Sequence, residues 1–244
     1  MKSRITCDLH THTQYSHGLG TILDNAKAAD ACGLKILGIA DHGPGHMSYG
    51  IDMKRIPDMR ADIAKAKELY PDLDIQLGVE ANIINKNGHL DVSEEDKKLF
   101  DYIIAGYHYA YLGENALSGI GICVGAWLSN HHCPTSIFRI AKNTDLIVKA
   151  LYENKIKILT HPGDKLKVDI KRIAQACEKN GTMLEINDHH SHLTAEEIRI
   201  AQVYDVQFII SSDAHTPENV GSVEGAYKTV LAAELDPNRV VNLR

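Results

Sequence analysis

The chain has 244 residues, a formal net charge of −6 and 14 histidines. This length is typical of one domain, so residues 1–244 are predicted to form a single unit. With 44% apolar and 24% charged residues, the composition excludes a disordered or fibrous chain. Acidic and basic residues are mixed and no basic block occurs, which argues against a nucleic-acid partner.

Neither a leader nor a membrane segment is evident. The N-terminus has no apolar stretch of signal-peptide length, and no run elsewhere reaches membrane-spanning length, so we expect a cytoplasmic protein without a membrane partner. The five cysteines are odd in number and show no CxxC spacing. Neither a disulfide framework nor a cysteine-based zinc site is therefore predicted, and the abundance of histidine is the unusual feature.

Short β-branched apolar runs alternate with amphipathic stretches along the chain. The predicted strands are Ile5–Leu9, Lys35–Ala40, Ile75–Val79, Tyr102–Ala105, Ile158–Thr160, Met183–Ile186 and Gln207–Ser211. The predicted helices are Ile22–Cys32, Pro57–Tyr70, Thr144–Glu153, Ile170–Lys179, Ala195–Val203 and Gly221–Leu231. This alternation indicates about seven βα units in a mostly parallel sheet, which at this length favours an α/β barrel.

One stretch does not follow the pattern. Residues 109–138 are rich in Gly, Ser and Asn and show no clean period. Long irregular segments in compact domains often carry function. We interpret this stretch as an excursion over the barrel mouth that forms a candidate lid.

The first strand leads into Asp8-Leu9-His10-Thr11-His12. Side chains two apart on a strand lie on the same face, so His10 and His12 can present two imidazoles to one metal ion. His17 follows five residues later, beside Gly18, which allows the loop to fold back over the same mouth.

The ends of the later strands repeat this chemistry. Strand two is followed by His42, and the apolar third strand stops at Glu80, a carboxylate that needs a cation if it is buried. His108 and His161 follow strands four and five, and the last strand leads into Asp213 and His215. Because the C-terminal ends of parallel strands meet at one rim, we expect these side chains to converge.

With His17, the set contains nine nitrogen and oxygen ligands. One zinc ion takes about four ligands, so the set predicts two or three ions, with Glu80 suited to bridge. Imidazole and carboxylate ligation suits Zn²⁺, while Mn²⁺ or Fe²⁺ also fits. The predicted metal ligands are His10, His12, His17, His42, Glu80, His108, His161, Asp213 and His215.

The motifs DLHTHT, ADHG, GVEAN, GYH, HPG and SSDAH closely resemble those of the PHP (polymerase and histidinol phosphatase) superfamily. The resemblance covers nearly the whole chain and is strongest to small single-domain bacterial phosphatases with three zinc ions. It implies a distorted (β/α)7 barrel of the TIM type and three metal sites. These sites are His10, His12, Glu80 and Asp213; Glu80, His108 and His161; and His17, His42 and His215.

The predicted activity is hydrolysis of a small phosphomonoester by metal-bound hydroxide. Asp213 is the candidate donor of a proton to the leaving group. The candidate substrate contacts are Arg139, Lys165 and Asn187, although an ordinary surface charge explains each of the two cations equally well. Glu185 and Asn187 end the sixth strand on a shared face, and each is a candidate either for orienting a metal ligand or for contacting the substrate.

Three alternatives stay open. A metal-dependent phosphodiesterase or exonuclease would use the same metal site, but no aromatic, basic groove for a single strand is present. An amidohydrolase-type C–N hydrolase shares the HxH motif, but no strand-end lysine matches its bridging lysine. A non-catalytic metal-binding barrel is the third. The histidine-rich loop Asp188–His192 lies past a strand end, so we do not expect it to supply a ligand.

Overall fold

The computed structural model describes residues 4–108 and 137–244. All seven predicted strands are present, each paired in parallel with the next in chain order. They are β1 (Cys7–Thr11), β2 (Ile36–Ile39), β3 (Asp74–Asn82), β4 (Tyr102–Gly106), β5 (Ile158–Leu159), β6 (Met183–Asn187) and β7 (Phe208–Ser211). The predicted parallel α/β barrel of the distorted (β/α)7 type is confirmed. Residues 109–136 of the predicted excursion lie outside the described residues.

The helices of the described ranges alternate with these strands. They are α1 (Ile22–Cys32), α2 (Ile56–Leu69), α3 (Ile137–Glu153), α4 (Ile170–Asn180), α5 (Ala195–Ala201) and α6 (Glu224–Ala233). Thr21 and Thr194 form capping boxes at the starts of α1 and α5, and Gly33 and Gly181 end α1 and α4 with φ of 79° and 67°. Across the described ranges, none of the helices combines the length and the apolar character that crossing a membrane requires.

Several boundaries differ from the sequence prediction, and three of these differences have a clear physical reason. β1 ends two residues later than predicted, at Thr11, and β3 continues to Asn82, so that Glu80 lies inside the strand. The prediction ended each of these strands at its last apolar residue. In the structure both strands continue through buried polar residues: His10 and Thr11 in β1, Glu80 and Asn82 in β3. α3 begins at Ile137, inside the predicted excursion, and Ile137 and Phe138 are exposed. Apolar residues at exposed positions interrupt the amphipathic period from which a helix is predicted.

The apolar core has two layers. A large layer packs between the outside of the sheet and the helices, and a small one fills the inside of the barrel. The inner layer consists of Leu9, Ala40, Tyr102, Ile104, Ile158 and Ile209. The hydroxyl of Tyr102 donates across the barrel to the backbone oxygen of Leu9 at 2.8 Å, and the absence of a side chain at Gly38 and Gly78 makes room for its ring. This apolar layer fills only part of the barrel interior, and polar residues occupy the C-terminal ends of the strands.

The seam between β1 and β7 is closed by other contacts. At the top, the amide of His12 donates to the backbone oxygen of Ala214 at 2.8 Å. Lower down, the buried amide of Asn242 lies between the two strands. Its Nδ2 donates to the backbone oxygens of Cys7 and Ile210, both at 2.7 Å, and its Oδ1 accepts from the amide of Ile210 at 3.0 Å. One side chain thus takes the place of ladder hydrogen bonds at the seam.

Replacement of Asn242 by alanine is expected to lower the free energy of unfolding by about 2 to 4 kcal/mol, because three hydrogen bonds are lost and buried backbone groups are left unpaired. Urea unfolding followed by circular dichroism measures the change. The control is Asn238→Ala, at an exposed asparagine nearby, which we expect to change stability by less than about 0.5 kcal/mol. Equal effects of the two substitutions would contradict the closing role of Asn242.

Candidate metal centre

At the rim formed by the C-terminal ends of the strands, the two histidines at the end of β1 lie close to two carboxylates. His10 Nε2 lies 3.3 Å from Glu80 Oε1 and 3.4 Å from Asp213 Oδ1, and His12 Nε2 lies 3.0 Å from the same Asp213 oxygen. Ligands of a tetrahedral zinc ion at about 2.1 Å from the metal are about 3.4 Å apart. The four side chains therefore have the mutual spacing of ligands around one ion.

A second group uses the same carboxylate. Glu80 Oε1 lies 3.2 Å from His108 Nε2 and 3.0 Å from His161 Nε2, and the two imidazole nitrogens are 3.3 Å apart. Two imidazole nitrogens this close repel when both lone pairs face each other unless a proton or a cation lies between them. Glu80 therefore contacts histidines of both groups through one oxygen, as a bridging carboxylate does.

The third group contains only imidazoles. The ligand atoms of His12, His17, His42 and His215 lie within 4.8 Å of one another. His42 also approaches the second group, because its Nδ1 is 2.9 Å from Glu80 Oε2. All nine side chains predicted as ligands therefore lie in one continuous cluster, which the closure of the barrel brings together.

The cluster contains buried polar atoms that form no hydrogen bond of proper geometry with any described residue, although two of them, His42 Nδ1 and Glu80 Oε2, lie 2.9 Å apart. The atoms are His10 Nε2, His12 Nδ1, His17 Nδ1, His42 Nδ1 and Glu80 Oε2. Leaving a polar atom buried and unpaired costs about 1 to 3 kcal/mol, so several in one place would be a large penalty. A cation coordinated by these atoms would remove this penalty. The donor set, rich in imidazole and free of thiolates, fits zinc or a similar transition metal.

The ionisation of the carboxylates also fits a cation site. Burial opposes the ionisation of Glu80, but His108, His10 and His42 outweigh it and hold the pKa of this carboxyl well below its ordinary value. Burial likewise opposes the ionisation of Asp213, and His10 and His12 hold its pKa well below its usual range. Burial lowers the pKa of His12 well below the ordinary value, so this imidazole stays neutral and keeps a lone pair.

Glu185 on β6 orients the ligands from below. Its Oε1 lies 2.7 Å from His10 Nδ1, and its Oε2 accepts from the backbone amide of His161 at 2.8 Å. The amide of Asn187 donates to Glu185 Oε2 at 3.0 Å and to Asp213 Oδ2 at 3.1 Å. A carboxylate on the far nitrogen fixes which imidazole nitrogen faces a metal. Glu185, named from the sequence for this role, is well placed to fulfil it.

A second network was not identified from the sequence. Asn82 Oδ1 lies 2.7 Å from His108 Nδ1, and Asp91 accepts from both the backbone amide and the side chain of Asn82, at 2.8 and 2.5 Å. Asp91 also accepts from the amide of Gly45, in the turn after His42. Asn82 lies two residues beyond Glu80 on one strand, a spacing that could have indicated a shared face. Nothing in the sequence pattern marks Asp91.

Two of the clustered residues adopt unusual backbone conformations. His161 has φ of 25° and Asp213 has φ of 53°, in the left-handed region that non-glycine residues rarely enter. Such conformations cost about 1 to 3 kcal/mol each and persist where the surrounding contacts require them. Both residues lie two positions past the end of a strand, and both side chains belong to the cluster.

The cluster forms the floor of a cavity of about 360 Å³. Among the described residues, its lining includes His46, Ser48 and Tyr49 on one side and Lys165, His189 and His190 on the other. Of the predicted substrate contacts, Lys165 lines the cavity, Arg139 is not among the described lining residues, and Asn187 is buried beneath the carboxylates. His189 and His190 belong to the loop Asp188–His192, which the sequence did not predict to contribute to the site.

Removing the carboxylate behind His10 is expected to weaken metal binding. In Glu185→Gln the side chain keeps its shape but loses its charge, so we expect about a 10- to 100-fold loss of affinity for zinc. Competition with a chromogenic chelator measures the affinity. The control is Glu196→Gln, at an exposed glutamate of α5, which should bind zinc as the parent protein does. Unchanged affinity in Glu185→Gln would contradict the orienting role.

Comparisons with known proteins place the chain in a family. The family model described as PHP domain matches residues 8–189. A probable phosphatase of Caldanaerobacter subterraneus subsp. tengcongensis is 28% identical, and the match covers 99% of this chain and 89% of that protein. A probable phosphatase of Escherichia coli O1:K1 / APEC, called YcdX, is also 28% identical, over 97% of this chain and 89% of that protein.

Among solved structures, the fold matches the histidinol phosphate phosphatase of Lactococcus lactis subsp. lactis Il1403, solved in complex with zinc, L-histidinol and phosphate. The TM-score is 0.60 at 12% identity, and the match covers 94% of this chain and 92% of that one. At this identity the likeness shows the shared fold. The family model covers three quarters of the chain, and the chain therefore belongs to the PHP-domain family, which at the level of the family confirms the predicted phosphate-ester hydrolase.

Proposed function

We propose that this protein is a metal-dependent phosphomonoesterase that acts on a small phosphorylated substrate. One observation carries the proposal: nine histidine and carboxylate side chains converge at ligand spacing, with buried atoms that no described residue satisfies. The probable phosphatases among the relatives support the same chemistry. The cavity of about 360 Å³ above the cluster suits a small substrate better than a polymer.

The proposed ions are two or three Zn²⁺, with Mn²⁺ or Fe²⁺ as alternatives. They would be held by the predicted ligands His10, His12, His17, His42, Glu80, His108, His161, Asp213 and His215. Bound ions of this kind supply an activated water and neutralise charge on the phosphoryl oxygens. The protein's part is to hold the imidazoles correctly turned, which Glu185 and Asn82 do through hydrogen bonds to the far ring nitrogens of His10 and His108.

The structure supports a ligand role for Asp213 and gives less support to its predicted role as proton donor. Its Oδ1 lies among the histidines of β1, and its Oδ2 accepts from Asn187. Because the nearby histidines hold the pKa of Asp213 well below its ordinary value, the carboxyl carries no proton to donate near neutral pH. Ser212 is no candidate nucleophile, since its hydroxyl donates to the buried Asp8 at 2.5 Å.

Metal removal tests the dependence on the cluster. Hydrolysis of a generic aryl phosphate is expected to be lost on chelation and restored by zinc. His10→Ala should lower kcat/KM by at least about 100-fold, since losing a ligand should cost no less than losing its orienting partner. The control is His89→Ala, at an exposed histidine outside the cavity, which should retain activity and metal. Turnover that persists after chelation or in His10→Ala would overturn the proposal.

The two ester classes can be separated directly. We expect the zinc-loaded protein to cleave an aryl phosphate with a higher kcat/KM than a bis-aryl phosphate diester, because the cavity wall carries a lysine that suits a doubly charged phosphate. Both substrates release the same chromophore, so the rates are measured by one assay. Exclusive cleavage of the diester would replace the phosphomonoesterase by a phosphodiesterase.

A further inference from the structure

The third group of candidate ligands is held together by loops. His17 lies in the loop between β1 and α1, His42 follows β2, and His215 follows β7. The ring centroid of His17 lies 4.8 Å from that of His42 and 4.3 Å from that of His215. Because these three residues lie outside the helices and strands, the geometry of the group depends on contacts between the loops that carry them.

Asp41, the residue before His42, holds the loop that carries His17. Its Oδ1 accepts from the backbone amide of Thr13 at 2.7 Å and from the hydroxyl of Ser16 at 2.5 Å. Its Oδ2 accepts from the hydroxyl of Thr13 at 2.6 Å, and the whole residue is buried. One side chain thus ties the first half of the His17 loop to the segment that carries His42.

The second half of the loop is tied to the third ligand by its backbone. The amide of Leu19 donates to the backbone oxygen of His215 at 2.8 Å. At Gly18 a Cβ would lie 2.6 Å from the backbone carbon and oxygen of His12, so the loop is packed directly against the end of β1. The loop is therefore anchored on both sides of His17, by a carboxylate on one side and by backbone contacts on the other.

The contacts of Asp41 are those of an anchor and not of a metal ligand. All three of its hydrogen-bond partners are donors, which matches the acceptor-only character of a carboxylate. Thr13 Oγ1 also accepts from the amide of Tyr15 at 3.2 Å, so its own proton is directed to Asp41. Within residues 4–108 and 137–244, no group with the spacing of metal ligands includes Asp41.

We propose that Asp41 is a positioning residue for a third metal site, and that it acts by holding His17 at ligand distance from His42 and His215. Its side chain forms no hydrogen bond with the ligands of the other two sites in the part of the chain that the structure describes. Its loss should therefore affect one site selectively. The assignment rests on the proposed function in one respect, namely that the cluster binds metal ions.

The test follows zinc release and does not depend on turnover. The zinc-loaded protein, expected to carry three ions, is titrated with a chromogenic chelator, and His17→Ala identifies the release step that belongs to the third site. In Asp41→Asn an amide nitrogen faces one of the donors, so we expect this step alone to lose zinc affinity by about 10-fold or more. Ser16→Ala removes one donor and leaves Asp41 in place, and should weaken the same step by a smaller factor.

The control is Thr182→Val, just before β6 at the opposite end of the barrel. The buried hydroxyl of Thr182 donates to the backbone oxygen of Ile156 at 2.9 Å. The control therefore loses a buried hydrogen bond, as Asp41→Asn does, but leaves the loops at the cluster unchanged. It should lower stability to urea and leave every step of zinc release as in the parent protein.

Three results would overturn the proposal. Unchanged affinity at the third step in both Asp41→Asn and Ser16→Ala would make Asp41 only a structural part of the loop, and equal weakening of all steps would indicate that the whole barrel loosens. A parent protein in which His17→Ala removes no step would have no third site. Where Asp41→Asn does not fold, Ser16→Ala gives the reading. If the steps respond as expected but the protein hydrolyses no phosphate ester, the proposed function fails and the positioning role stands.

Discussion

The structure depends on a buried carboxylate that is surrounded by imidazoles. Glu80 lies inside β3 with its two oxygens 2.9 to 3.3 Å from nitrogens of His10, His42, His108 and His161. Burial disfavours an ionised carboxylate unless positive charge lies nearby. Neutral imidazoles do not supply that charge, and each of them donates at most one hydrogen bond. One glutamate thus links histidines that lie at or just past the ends of four strands. Its environment is difficult to account for without cations.

The remaining polar interior supports this arrangement. Glu185 and Asn82 each contact the far nitrogen of an imidazole, and Asp91 in turn holds Asn82 and the turn at Gly45. Below them the barrel contains only a small apolar layer, and Asn242 closes the seam between the first and last strands. Because β1 carries His10 and leads into His12, and β7 leads into Asp213, the geometry of the cluster depends on the closure of this seam.

Recognition of the substrate involves residues of a different kind. The cavity walls come from loops: the turn after β2 supplies His46 and Tyr49, whose rings stack with centroids 4.9 Å apart, and the loops after β5 and β6 supply Lys165 and His190. The strand ends supply the candidate metal ligands, and the loops form the cavity walls that select the substrate. A change of substrate within this fold would therefore be expected in the loops and not in the strands.

The sequence by itself predicted the seven strands, the six helices and all nine side chains of the cluster, because successive apolar runs are followed by His, Asp or Glu at the same end of the barrel. It did not identify Asp91, or the place of His190 at the cavity. It also suggested that Asn187 contacts substrate, although this amide is buried beneath the carboxylates. Only the tertiary structure decided these roles, because they arise where separate loops meet, as at Asp164 and His190 or at Asp91 and Asn82. Periodicity along one strand reports which face a residue lies on, whereas contacts between loops depend on how the barrel closes.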